Sequence, residues 1–217
     1  MVLPLSPDEL LSTTRAVRKR LDLTRPVERQ LLDECLDLAL QAPTASLRQD
    51  WHLVVSDDRE VCRRVGQVYS EVWHGMISEA YLAKAADSEP DAGARATWLK
   101  MMDSARYLAD HFPDVPAILV PCIEGRLEGA PILPQANKWG SIVQAAWSFM
   151  LAARARGLGT CWTTVHLMRE AEVADILGIP YDRVQQVALI PVAHTLGTDF
   201  KPGARKDRDR YVHWNSW

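Results

Sequence analysis

Arg156-Gly157-Leu158-Gly159-Thr160-Cys161-Trp162-Thr163-Thr164 closes a long apolar helix, makes a glycine turn and enters a short strand of β-branched and aromatic residues. Without a Cβ, Gly157 and Gly159 let the backbone turn at positive φ and let another group approach the main chain closely. Such a turn suits a flat ligand whose ring edge needs backbone N–H groups. Gly157 is equally what an ordinary helix C-cap looks like, so the stretch alone leaves both readings open.

Upstream, the helix that feeds the turn begins near Asn137 and carries Trp139, Ile142, Val143, Ala146, Trp147, Phe149, Met150, Leu151 and Ala153. It is apolar on nearly every side, which predicts burial all round, in the core or against a second subunit. A long loop over 123–135, with Gly125, Gly129, Pro131 and Pro134, precedes it. Downstream, 168–177 reads as a short amphipathic helix closed by Gly178, and 184–192 as one buried strand. After Gly197 the chain turns basic and then ends on Trp214 and Trp217. Each indole can bury roughly 200 Å², so this tail is expected to dock, with a partner subunit as one candidate surface. The division expected is 1–197 as one domain and 198–217 as the docking tail.

The N-terminal half has well-marked helix starts. Ser6, Pro7 and Glu9 form a capping box, and the periodicity carries a first helix toward residue 20, with Arg15 and Arg18 three apart on one face. That basic cluster is either a solvated helix end or an anion site, since a guanidinium forks two parallel hydrogen bonds onto a phosphate. Pro26 starts a second helix, and Asp57 and Asp58 cap a third that runs to Trp73. Between the second and third lie a small polar loop over 43–50 and a buried strand over 51–56. A polar excursion at 85–94 is the kind of segment that covers sites. A helix over 94–110 follows, and 115–122 is a buried strand whose prolines argue for its ends or an edge position. Helices and strands alternate without regular βαβ spacing, which gives an α+β fold with a central sheet. Trp73, Trp98, Trp139 and Trp162 either line a pocket or belong to the core.

At 217 residues and 47% hydrophobic, the chain can bury a full core. A formal net charge of −3 supplies no basic field for nucleic acid or an anionic membrane. No apolar run approaches the ~20 residues of a membrane span, and the first residues lack a signal peptide, so a cytoplasmic protein is expected. Cys35, Cys62, Cys122 and Cys161 are widely spaced, which predicts reduced, buried thiols. The histidines form no metal motif, and neither dinucleotide nor phosphate-loop glycine pattern is present.

Four features in order resemble the FMN-dependent nitroreductase family, most closely its small actinobacterial-type members. They are an Arg-x-x-Arg at the end of the first helix, Ala42-Pro43-Thr44-Ala45-Ser46-Leu47 entering a strand at Trp51, the buried helix into Gly157-Leu158-Gly159, and the Pro/Arg/Lys tail. The resemblance implies a nitroreductase-like α+β fold, a central mixed sheet flanked by helices, in an intertwined homodimer with FMN at the interface. It places Arg15, Ala16 and Arg18 around the FMN phosphate and pyrimidine region. It brings Pro43, Thr44, Ala45 and Leu47 from the other subunit, with Gln144 on the buried helix. Leu47 stands where the family usually has Asn, and Asp50 where it usually has Pro. It sets backbone N–H groups of Thr163, Thr164 and Val165 at flavin N5, and Arg205 on the phosphate, with Lys206 or Lys201 as substitutes.

The implied activity is ping-pong hydride transfer from NADPH or NADH through the flavin to a nitroaromatic, quinone or related electron-poor small molecule, with no protein residue as acid, base or nucleophile. Reductive dehalogenation, a flavin-reducing or flavin-consuming reaction, and non-catalytic flavin sequestration are the alternatives.

Overall fold

The computed structural model describes residues 2–79 and 92–217; most of the polar excursion at 85–94 lies outside them. Helix α1 (Pro7–Thr13) starts at its capping box, with Ser6 Oγ accepting from the Glu9 N–H and the Glu9 carboxylate accepting from the Ser6 N–H. It stops well short of residue 20. Thr13 and Thr14 donate their hydroxyls back to the Glu9 and Leu10 carbonyls at 2.6 Å each, and Thr14 leaves helical angles. The segment that follows finds a sheet partner instead: Val17 donates its N–H to Thr160 O at 2.8 Å, and Ala16 bridges Thr160 in parallel. Arg15 and Arg18 therefore stand on a non-helical segment, not on one face of a helix.

Strand β1 (Leu21–Asp22) is too short to be seen in the sequence. Helix α2 (Arg29–Ala39) begins after Pro26 rather than at it, because Glu28 at the N-cap spends its carboxylate on Arg25 and His194, at 2.8 Å each. Strand β2 (Trp51–Ser56) and helix α3 (Arg59–Val72), capped by Asp58, form as read. A single π-helical stretch, Trp73–Ile77, extends α3, and α4 (Ala92–His111) leads to β3 (Ala117–Glu124).

Strand β3 is central, not an edge. It pairs with β2 along 118–123 on one side, and with β5 (Val184–Gln186) and β6 (Ile190–Thr195) on the other. Pro121 is tolerated inside it because it faces the break between those two strands, where no ladder needs its missing N–H; its carbonyl accepts from Val187. The same break splits the expected 184–192 strand in two: Leu189 leaves the ladder to exchange backbone bonds with Thr163. β4 (Leu158–Thr160) pairs with β6, as does β1. All strand ladders are antiparallel, and the Ala16–Thr160 bridge is the parallel pairing among the described residues.

The sheet is buried on both faces. Ile118, Val120 and Cys122 of β3 pack with Val65, Tyr69 and Leu108 of α3 and α4, while Ala117 and Leu119 pack with Leu32 and Cys35 of α2 and with Phe149 of the helix that follows β3. Helix α5 (Ile132–Ala155) begins earlier than expected because Pro131 and Pro134 occupy its N-cap and first turn, where the missing N–H groups have no intrahelical use. Its burial is one-sided. Ile142, Ala146, Phe149 and Ala153 are buried, but Leu133, Val143 and Trp147 are 67%, 42% and 39% exposed, so an apolar stripe at helical spacing lies open in the single chain. Short helix α6 (Glu170–Leu177) ends on Gly178 at φ +67°. All four cysteines are free and buried.

Candidate flavin site

The glycine turn proves structural. Gly157 follows Arg156, the C-cap residue of α5, at φ +75° with open space around its Cβ position, which is how an ordinary helix end is closed. Gly159 is needed for close approach, but by the protein itself: a Cβ there would lie 2.8 Å from Thr195 Cγ2 and 2.9 Å from Leu21 Cδ2. What the turn does is deliver 162–165 to a cleft.

Thr163 is locked beneath that cleft, with both its N–H and its hydroxyl donated to Leu189 O, at 3.2 and 2.6 Å. Its N–H is thereby unavailable to a ligand. Thr164 and Val165 come next, at the N-cap and first position of the 3-10 helix Val165–Arg169, where backbone N–H groups have no intrahelical partner. They line a cleft of about 360 Å³ together with Arg18, Tyr69, Trp73, Met101, Trp162 and Met168. Arg18 is held by Ser104 Oγ at 3.3 Å. Burial pushes the Tyr69 phenol and the Cys161 thiol up, so neither offers an anionic nucleophile at neutral pH.

Of the four tryptophans weighed, Trp73 and Trp162 face the cleft, while Trp98 and Trp139 pack against core clusters. Tyr69, Met101 and Met168 are lining residues that the sequence reading missed. The helical period of α3 could have flagged only Tyr69, and it reads there as core. His166, the residue after Val165, is also new: it is fully buried, both ring nitrogens lack partners among the described residues, and burial pulls its pKa down to about 3.

A second group forms where the tail returns. Arg15 Nη1 donates to Lys201 O at 3.0 Å. A Cβ on Gly203 would lie 2.5 Å from Arg205 Nη1 and 2.8 Å from Arg15 Cζ, so the two guanidiniums meet around that residue. Among the described residues no ion pair involves Arg15, Arg18 or Arg205. Like charges held this close without a carboxylate suit a dianionic phosphate. Ala16, by contrast, is committed to its bridge with Thr160.

The third group stands apart. In the loop after Pro43, Ser46, Leu47 and Gln49 adopt φ of 55°, 56° and 50°, and Leu47 is 84% exposed. Thr44 Oγ1 accepts from the Gln49 N–H, and the Ala45 N–H reaches Ser141 Oγ at 3.1 Å. Ala45, Arg48, Asp50, Leu133, Asn137 and Lys138 line a separate small cavity of about 180 Å³. Gln144 is exposed on α5 beside Val143. None of these residues lines the Arg18 cleft. The residues present therefore fit FMN in parts: adjacent unpaired guanidiniums for a phosphate, and a ring-sized aromatic and thioether cleft with a cation and free N–H groups.

Comparison with known proteins gives the family and the fold. The sequence model of the family described as "Nitroreductase family" matches residues 11–194. A Methanothermobacter thermautotrophicus protein named provisionally as an NADH dehydrogenase/NAD(P)H nitroreductase is 25% identical over 217 residues, covering 96% of this chain and 86% of that protein. Among solved structures, the FMN- and NADPH-dependent nitroreductase NfnB from Sphigopyxis sp. strain HMH superposes with a TM-score of 0.68 at 21% identity, covering 98% of this chain and 100% of that one. Iodotyrosine deiodinase bound to FMN and 3-iodo-L-tyrosine gives 0.67 at 18% identity, covering 97% and 99%. At these identities the structures show a shared fold.

Proposed function

The chain belongs to the nitroreductase family, and from that premise we propose that it is an NAD(P)H-dependent FMN oxidoreductase that reduces electron-poor small molecules such as nitroaromatics and quinones. The observation that carries this reading is the meeting of Arg15 and Arg205 around Gly203, with neither in an ion pair among the described residues. They hold the phosphate. Arg18, in the cleft, places positive charge where negative charge would develop on the ring, and the N–H groups of Thr164 and Val165 hold the ring edge in register. Bound there, the flavin would supply the redox chemistry, accepting hydride equivalents from a nicotinamide and giving them to the acceptor. Tyr69, Trp73, Met101 and Trp162 exclude water and offer a flat surface on which donor and acceptor stack in turn.

The active unit in this reading is a homodimer. The open stripe of Leu133, Val143 and Trp147 supports it, because an apolar stripe of that kind is covered in a working protein. The loop at 44–47 and Gln144 lie with that stripe and reach the flavin of the second copy. Trp214 and Trp217, 76% and 101% exposed, dock the tail of 198–217 on it. Four free buried cysteines suit a reducing compartment, the cytoplasm. No described helix is long and apolar enough to cross a membrane.

The test is an absorption spectrum of the freshly purified protein followed by anaerobic NADPH. Flavin bands that bleach with NADPH and return with a quinone or nitroaromatic are expected. Bound flavin that both NADPH and NADH leave oxidised would make the protein a flavin-sequestering one, and a protein that neither carries nor takes up FMN would overturn the reading.

A further inference from the structure

We propose that Phe200 is a positioning residue for the cofactor phosphate, anchoring the tail so that Arg205 arrives at Arg15; the inference rests on the flavin reading above. The tail enters through Gly197 at φ +78°, where a Cβ would stand 2.7 Å from Arg20 Nη2. Arg20 fixes the chain on both sides of that glycine, donating Nε to Leu196 O at 2.8 Å and Nη2 to Asp199 Oδ1 at 2.6 Å. Its Cζ lies 4.3 Å from the centre of the Phe200 ring.

Arg154 of α5 meets the same ring, with Cζ 4.9 Å from its centre. Arg154 is only 4% exposed, and no ion pair among the described residues involves it. Nη2 donates to Thr198 O at 3.1 Å and to Thr13 Oγ1 at 3.3 Å, while Nε and Nη1 have no hydrogen-bond partner among the described residues. A buried cation so poorly served by hydrogen bonds, with Arg20 repelling it nearby, leans on the face of the aromatic ring. Phe200 thus ties together two like charges and the backbone on either side of itself. Lys201, the next residue, gives its carbonyl to Arg15, and Gly203 sits between Arg15 and Arg205. The ring acts on the phosphate through the chain, without touching it.

Riboflavin lacks the phosphate, so comparing it with FMN separates this role from general support of the fold. Holoprotein is freed of flavin by dialysis and titrated with each. Phe200→Leu keeps bulk but loses the ring face, and is expected to weaken FMN at least about ten-fold and riboflavin less than about two-fold, while Phe200→Trp keeps FMN within about three-fold. Should Phe200→Leu fail to fold, Arg154→Met removes the cation from the ring and is expected to show the same FMN-selective loss.

Equal weakening of both flavins, or of neither, in a wild-type background that strongly prefers FMN would overturn this inference alone. A wild-type protein that binds both flavins alike would remove the phosphate assignment of Arg15 and Arg205, and this inference with it.

Discussion

The segment at 162–165 and the loop at 43–50 are both assigned to the flavin, and the protein builds them in opposite ways. The first is tied down inside one chain. Thr163 is clamped to Leu189, and Thr164 and Val165 share a cleft with Arg18. The second holds three non-glycine residues at positive φ within four positions and leaves Leu47 in water, next to an apolar stripe that the described residues of the single chain leave open. Backbone kept in a sparsely populated region persists where surroundings over-determine it, and it concentrates at functional sites. In the flavin reading proposed above, one chain supplies the phosphate and N–H side of the site, while the other side is the one a second copy would use.

The sharpest way to break that comparison is at the self-contained side. Arg15→Ala with Arg205→Ala removes two charge-assisted grips, and FMN affinity should fall by about 4 kcal/mol, roughly a thousand-fold. Ultrafiltration at neutral pH then separates the flavin from the protein; stoichiometric retention would reject the phosphate assignment. On the outward side, Trp147→Asp places a carboxylate on the open stripe. Self-association should weaken by at least about 2 kcal/mol, roughly thirty-fold, and the outward loop would lose its flavin contact at the same time. Light scattering with flavin occupancy reads both; an unchanged mass would move the interface elsewhere.

His166 sharpens the contrast through pH. Its ring titrates near about 3 when folded and near 6.5 when unfolded, so as pH falls through 6.5 the unfolded chain takes up the proton first and stability is lost. Between pH 7 and 5 the loss should be about 2 kcal/mol, absent in His166→Leu, measured as urea midpoints at the two pH values. Glu28, held near about 2 chiefly by its hydrogen bond from Arg25, loses its contribution only below its ordinary value of 4.5, outside that window. The smallest effect belongs to Leu47. Asn tolerates positive φ far better than Leu, so Leu47→Asn should stabilise by up to about 1 kcal/mol with no loss of flavin; a lower melting temperature would mean the leucine has a packing partner across an interface.

Local chemistry was legible in the sequence and distant pairing was not. Ser6 with Glu9, Asp58, Gly157 and Gly178 each act on the residues next to them, and each marks its helix end where expected. The end of α1 went unseen because Thr13 and Thr14 keep a helical pattern, and only the pairing of Val17 with Thr160 makes leaving the helix favourable. Pro121 pointed to a strand end or an edge by rule, and the break between β5 and β6 that accommodates it belongs to other parts of the chain. The same holds for the site. Arg15, Arg18, Thr164, Val165 and Arg205 came from the order of motifs, whereas Met101, Met168 and the ring of Phe200 took their places through packing that no spacing displays.

The two terminal indoles also give the molecule a built-in optical signal. Trp51 and Trp73 are nearly sealed from water, while Trp214 and Trp217 are open to it, the latter stacked on His213 with ring centres 4.6 Å apart. Emission from a wet indole lies to the red of emission from a sealed one. Docking of the tail onto a second copy would therefore shift the fluorescence to the blue as concentration rises, and dilution would reverse it, with no label attached.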